Sequence, residues 1–154
     1  MSHSNYSYLE SKMTISILKK KDLTIVLQEQ ASTLFKELNS DIYQIDLKKI
    51  LENEEHIVFV VAEENNQLAG MASMALYTVI SGYKGMVEDV VVSENYRGKG
   101  IGRKLMKKLL SEADKLELTE VLLFSGHHRQ AAITLYKSLG FILKNSGVYR
   151  LKLN

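Results

Sequence analysis

The chain has 154 residues, 45% of them hydrophobic and 25% charged, with a formal net charge of +2 and no cysteine. This length fits one domain able to bury a core. The missing cysteines exclude disulfides, thiolate catalysis and cysteine-ligated zinc. The weak charge gives no ground for binding nucleic acid or a membrane surface, and no apolar run approaches the ~18 residues of a membrane-spanning helix. A cytoplasmic chain is the simplest expectation.

The first dozen residues, MSHSNYSYLESK, are polar and lack the apolar core of a signal segment, so 1–12 reads as a loose tail ahead of one domain over 13–154. Thr14–Leu18 alternates and predicts a first strand. Asp22 can cap a helix running to about Asn39, with Leu23, Val26, Leu27, Leu34 and Leu38 at helical spacing. Asp41–Glu52 predicts a second, shorter helix. Ile57–Ala62 is a continuous apolar run rich in β-branched residues, which predicts a buried strand. Glu64–Gln67 is a turn, and Leu68–Val79 completes a hairpin. Ser81–Gly85 is a second turn, and Met86–Ser93 is the next strand.

Ile101, Leu105, Leu109 and Ala113 recur every fourth residue, which predicts an amphipathic helix over about 101–117. Val121–Ser125 is a strand, and Gln130–Leu139 a short helix ended by Gly140. Phe141–Lys144 and Val148–Leu153 flank Asn145–Gly147 as a closing hairpin. There are no repeats, low-complexity segments or linkers. The predicted order is β, α, α, β, β, β, α, β, α, β, β.

Three of the nine glycines, Gly98, Gly100 and Gly102, fall within five residues, interleaved with Arg97, Lys99 and Arg103. They sit between a strand and a helix. Backbone N–H groups at a helix start lack partners and carry the positive end of the helix dipole. Glycines there let an anionic ligand approach them. From Arg97 to Ser111 there are six basic residues and no acid. The chain holds 16 lysines but only four arginines, and Arg97 and Arg103 bracket the glycines. Arginine presents a planar fork suited to phosphate. The dinucleotide fingerprint would need glycine where Arg103 stands, and a Walker loop fails on Ser93 and Gly100.

Arg97-Gly98-Lys99-Gly100-Ile101-Gly102 resembles the R/Q-x-x-G-x-G/A signature of the GNAT superfamily of N-acetyltransferases. Val87–Ser93 resembles that family's fourth strand, and Ala131–Phe141 resembles its A-x-x-L-Y-x-x-x-G-F helix end. The similarity is strong over residues 86–141 and rests on element order before that. It implies an α/β (mixed α+β) fold: a mixed, mostly antiparallel sheet of six to seven strands with four helices, splayed between the fourth and fifth strands. It implies acetyl-coenzyme A as co-substrate and no metal. Main-chain groups of Val90, Val91 and Val92 would bond the pantetheine arm, and the loop Arg97–Arg103, including Ile101, would wrap the pyrophosphate. Tyr136 would face the thioester sulfur. Many members carry asparagine where Arg129 stands, so that contact does not transfer. Arg129 either reaches phosphate or faces solvent.

Acetyl transfer to an amine needs a proton acceptor, polarisation of the thioester carbonyl and an acid for the thiolate. With no cysteine, direct attack in a ternary complex is the simplest route. Tyr136 is the candidate acid, its phenol protonated at neutral pH; otherwise it packs the helix. Backbone N–H at Val91 or Val92 is the candidate oxyanion donor. Glu88 and Asp89 are adjacent acids on an apolar strand, and Glu88 is the candidate base; the alternatives are a structural acid, Asp89 or water. His127 and His128 have no third ligand at recognisable spacing, which excludes a metal reading. Asp41, Tyr43, Asp46, Glu52, Glu54 and Glu55 lie in the segment expected to build the acceptor wall.

The expected partner is a small-molecule amine, with no nucleic acid and no membrane; a homodimer is allowed. The alternatives are a protein lysine or N-terminal acetyltransferase, a sugar-phosphate acceptor and a non-catalytic acetyl-CoA sensor.

Overall fold

The computed structural model describes residues 11–153, and the expected tail up to residue 10 lies outside them. Contacts divide the chain into two compact units, one up to Phe124 and one from Ser125.

The first unit is a five-stranded sheet in the order β1-β2-β3-β4-β5. Its strands are β1 (Thr14–Ile17), β2 (Ile57–Glu64), β3 (Gln67–Val79), β4 (Gly82–Val92) and β5 (Glu120–Leu123). The first four pair antiparallel and β5 joins β4 in parallel. The helices are α1 (Ile25–Leu38), α2 (Leu47–Ile50), α3 (Ile101–Lys115) and, in the second unit, α4 (Gln130–Ser138).

The apolar run in β2 exists because both faces of the sheet are covered. Alternate residues point to opposite sides. Phe59 and Val61 join Leu27, Ala31 and Leu34 of α1, with Leu47 and Leu51 beside them, in one apolar cluster. α3 packs against β2, β3 and β4 and fully buries Leu105, Met106 and Leu109. It comes close at Gly70, where a Cβ would stand 3.0 Å from Leu105 Cδ1 and 3.2 Å from Ile101 Cγ2. Leu109→Ala should therefore lower unfolding stability by about 2–5 kcal/mol. Denaturant melts measure this, and a loss below ~1 kcal/mol would mean that Leu109 does not anchor the helix.

Several expectations are corrected. Asp22 is not the cap of α1: it closes a short 3-10 turn, Lys20–Asp22. Thr24 is the cap, its hydroxyl accepting from Leu27 N–H at 3.1 Å. The second helix shrinks from Asp41–Glu52 to Leu47–Ile50. Asp46 starts it by accepting from Lys48 N–H at 2.8 Å, and Ile42, Tyr43 and Ile45 before it are exposed with no core to fold against. The second turn is tighter than expected, at Ile80 and Ser81, because Gly82–Gly85 already pair with β3.

The sheet has five strands rather than six to seven: no strand follows β5 among the described residues. An isolated hairpin is marginal unless one of its faces packs. Ile142, Leu143, Val148, Tyr149, Leu151 and Leu153 are all exposed.

Candidate functional site

The β4–β5 ladder runs from Lys84↔Glu120 to Val87↔Leu123 and stops there. β4 continues alone to Val92, so residues 88–92 face no ladder partner on that side among the described residues. On the other side β4 pairs with β3, but the register shifts between Met71 and Ser73. Glu88 opposes Ser73 and Val91 opposes Met71, so two β4 residues, Asp89 and Val90, stand against Ala72 alone. This is a β-bulge, and it bends and twists the strand that carries it. Asp89 takes φ +53° there, a left-handed conformation that short polar side chains tolerate.

The bulge sets which backbone groups are offered. Ser93 N–H donates to Ala69 O of β3 at 2.8 Å. Backbone direction alternates along a strand, so Val91 also turns its N–H and C=O toward β3. Val90 lies in the bulge itself, while Val92 turns its N–H and C=O to the open side, where Arg97 Nε donates to the C=O. Of the two oxyanion-donor candidates, only Val92 presents its N–H there.

Beyond β4 a 3-10 turn, Glu94–Tyr96, leads into the glycines. Gly98 and Gly100 have φ +77° and +74°, where a side chain is strained, and a Cβ on either would meet nothing within 4 Å. The conformation needs glycine and the space beside it is open. Gly102 differs: it lies in the first turn of α3. Gly100 is the N-cap of α3 and provides no side-chain cap. The helix's first backbone bond is Lys104 N–H to Gly100 O, so the N–H groups of Ile101 and Gly102 lack intrahelical partners. A strand edge, two left-handed glycines and an uncapped helix start form a cradle that fits an extended chain ending in phosphates.

The basic side chains are partly engaged. Lys99 Nζ sits 5.3 Å from the centre of the Tyr96 ring. Arg97 Nε donates to Val92 O at 3.1 Å, and its Nη2 lies 3.5 Å from Glu37 Oε2. Glu37, from the last turn of α1, is a contact that local sequence patterns do not signal.

Although Glu88 and Asp89 are solvent-exposed, protein packed around each carboxyl disfavours its charged form and raises its pKa. The neighbouring Asp89 charge adds to the rise at Glu88.

The second unit holds Arg129, His127 and His128, all exposed, and the half-buried Tyr136. Arg129 is the N-cap of α4, without a side-chain cap bond. The far end of α4 is a Schellman motif: Gly140 N–H donates to Lys137 O at 3.0 Å, and Phe141 N–H to Tyr136 O at 3.1 Å. The motif brings Phe141 edge-on to Tyr136, ring centres 6.1 Å apart. Burial raises the Tyr136 pKa above its ordinary value and the Arg129 charge lowers it in part. The phenol therefore stays protonated at neutral pH. No group of three or more possible metal ligands occurs among the described residues, and no helix among them is long and apolar enough to cross a membrane.

Comparison with known proteins matches this architecture. The family model of the acetyltransferase (GNAT) family matches residues 23–141. An L-amino acid N-acyltransferase, MnaT, of Escherichia coli (strain K12) is 34% identical over 85 residues, 54% of this chain and 49% of its own length. The L-methionine sulfoximine/L-methionine sulfone acetyltransferase of Salmonella typhimurium is 35% identical over 83 residues, 53% of this chain and 48% of its own. The chain thus spans about half the length of these relatives. A predicted acetyltransferase from Clostridium acetobutylicum, solved with acetyl-CoA, has the same fold, with a TM-score of 0.66 at 23% identity over 93% of this chain and 96% of that one. With the bulged, half-open β4, the glycine loop and the family match running over both, the chain belongs to the acetyltransferase (GNAT) family.

Proposed function

We propose that this chain is an acetyl-CoA-dependent N-acetyltransferase acting on the primary amine of a small molecule. The observation that carries this reading is the open edge of β4 leading into the cradle at Gly98 and Gly100. In the proposed complex the backbone groups of Val90 and Val92 bond the pantetheine arm, and the pyrophosphate lies against Gly98–Gly102. The amine nitrogen attacks the thioester carbonyl directly, forming the C–N bond as the C–S bond breaks. Glu88 takes the amine proton, Val92 N–H stabilises the developing oxyanion, and the Tyr136 phenol protonates the departing thiolate.

The protonation states suit these roles. A base with a raised pKa holds its proton better once it has taken it, and an acid that stays protonated is ready to donate. As base, Glu88 must be ionised, so the rate rises with pH through its pKa. Asp89→Asn removes the second of the two causes raising that pKa, and asparagine tolerates the left-handed bulge. The acidic limb of kcat/KM should therefore move to lower pH in this variant. A limb that stays in place or moves upward would count against Glu88.

Amino-acid amines are the first acceptors to test, since two relatives are an L-amino acid N-acyltransferase and a methionine sulfoximine acetyltransferase. A thiol-release screen with acetyl-CoA against L-amino acids, polyamines, aminoglycosides and lysine peptides tests the reading. It predicts turnover on a small amine. Turnover on lysine peptides alone would replace the small-molecule reading, and turnover on none would remove the catalytic one.

A further inference from the structure

Glu37 reaches across 57 residues of sequence from the end of α1 to the turn after β4, where its Oε2 accepts from Glu94 N–H at 2.9 Å. The same oxygen lies 3.5 Å from Arg97 Nη2, while Arg97 Nε donates to Val92 O at 3.1 Å. One carboxylate and one guanidinium thus join three elements: the last turn of α1, the C-terminal end of β4 and the residue before Gly98. Ser93 N–H on Ala69 O ties the opposite side of this connection to β3.

We infer that Glu37 is a positioning residue for the phosphate loop. Through Arg97 it fixes where the glycine loop leaves β4, and so how the N–H groups after Gly100 are aimed. This rests on the proposed reading of the loop as the pyrophosphate site. It differs from a simple charge role for Arg97. A direct phosphate grip by Arg97 would not depend on Glu37, whereas the bridge needs both partners, with Nε on Val92 O and Nη2 on Glu37 at once. The bridge occupies one lone pair of the Val92 C=O and leaves the Val92 N–H untouched on the open side. The pair is partly exposed, with 57% of the Arg97 side chain and 33% of the Glu37 side chain accessible. An ion pair of this kind adds little to stability, so its effect should appear in loop geometry rather than in melting.

The test measures coenzyme A affinity by calorimetric titration, and ligand-free melting, for wild type, Glu37→Gln, Arg97→Lys and the double variant. Glutamine keeps an acceptor for Glu94 N–H and drops the charge facing Arg97. Lysine keeps the charge and loses the fork. Each single change is expected to weaken coenzyme A about tenfold, the size of one coupled interaction, with Tm within about 2 °C of wild type. The double variant should be no weaker than the poorer single, because both act through one bridge.

Wild-type affinity in Arg97→Lys would reduce Arg97 to a charge and overturn the inference, as would wild-type affinity in Glu37→Gln or additive losses. A loss that follows a fall in Tm would also overturn it, making the bridge structural only. Absence of coenzyme A binding by wild type is a separate outcome: it would remove the reading of the loop, and this inference with it.

Discussion

Tyr136→Phe is expected to lower kcat by about 10²–10⁴-fold, the range for a positioned general acid. The substitution keeps the ring and its edge contact with Phe141, whose centre lies 6.1 Å away, so the end of α4 should fold as before. Only the hydroxyl is lost. It matters as the C–S bond breaks and little in the ground state, so acetyl-CoA affinity should change little. The raised pKa, caused first by burial and opposed by Arg129, also predicts that the alkaline limb set by this acid lies above the ordinary tyrosine value of 10.0. The check is kcat and acetyl-CoA affinity for the Phe variant with an acceptor taken from the screen. A rate within about twofold of wild type would leave Tyr136 as packing and remove it from the chemistry.

Gly100→Val is expected to abolish most coenzyme A binding. Valine at φ +74° carries the steric cost of a left-handed β-branched residue, about 1–3 kcal/mol. The loop can relieve it only by rotating the peptide that starts α3. The new Cβ meets no protein atom within 4 Å, so on the proposed reading it takes space left for the pyrophosphate. Together these effects should raise the coenzyme A Kd by roughly tenfold to a hundredfold, and the melting point should fall by roughly 2–12 °C as the strain is borne by the fold. Titration of coenzyme A measures it. Binding equal to wild type would place the pyrophosphate elsewhere.

What the sequence made legible was local. The β2–β3 hairpin, the i, i+4 stripe of α3 and the cap at Gly140 each follow from spacing within a few residues. The glycine loop was readable because Gly98 and Gly100 adopt a conformation that other residues avoid. What it left open depends on distant partners. Asp22 and Thr24 are both capping residue types two positions apart, and only the path of the chain into α1 selects Thr24. Asp41–Glu52 has helical spacing, but its apolar residues before Leu47 have no face to bury, and amphipathic helices draw most of their stability from packing.

The bulge at Asp89 decides which β4 groups are open, and no local pattern announces it: the run Val87–Ser93 reads as an unbroken strand. It becomes visible only in the register against β3. Glu37 was out of reach for the same reason, since its partners, Glu94 and Arg97, lie far along the chain.

The most direct test of the central claim is the melting temperature of the full chain with and without acetyl-CoA. A ligand held only by the folded state stabilises it by mass action, about 2.7 kcal/mol at a hundredfold excess over Kd. For a domain of this size that corresponds to a rise of roughly 5–10 °C. A rise of that order, reduced in Gly100→Val, is the predicted result. An unchanged melting curve at millimolar acetyl-CoA would contradict the account from the cradle upward.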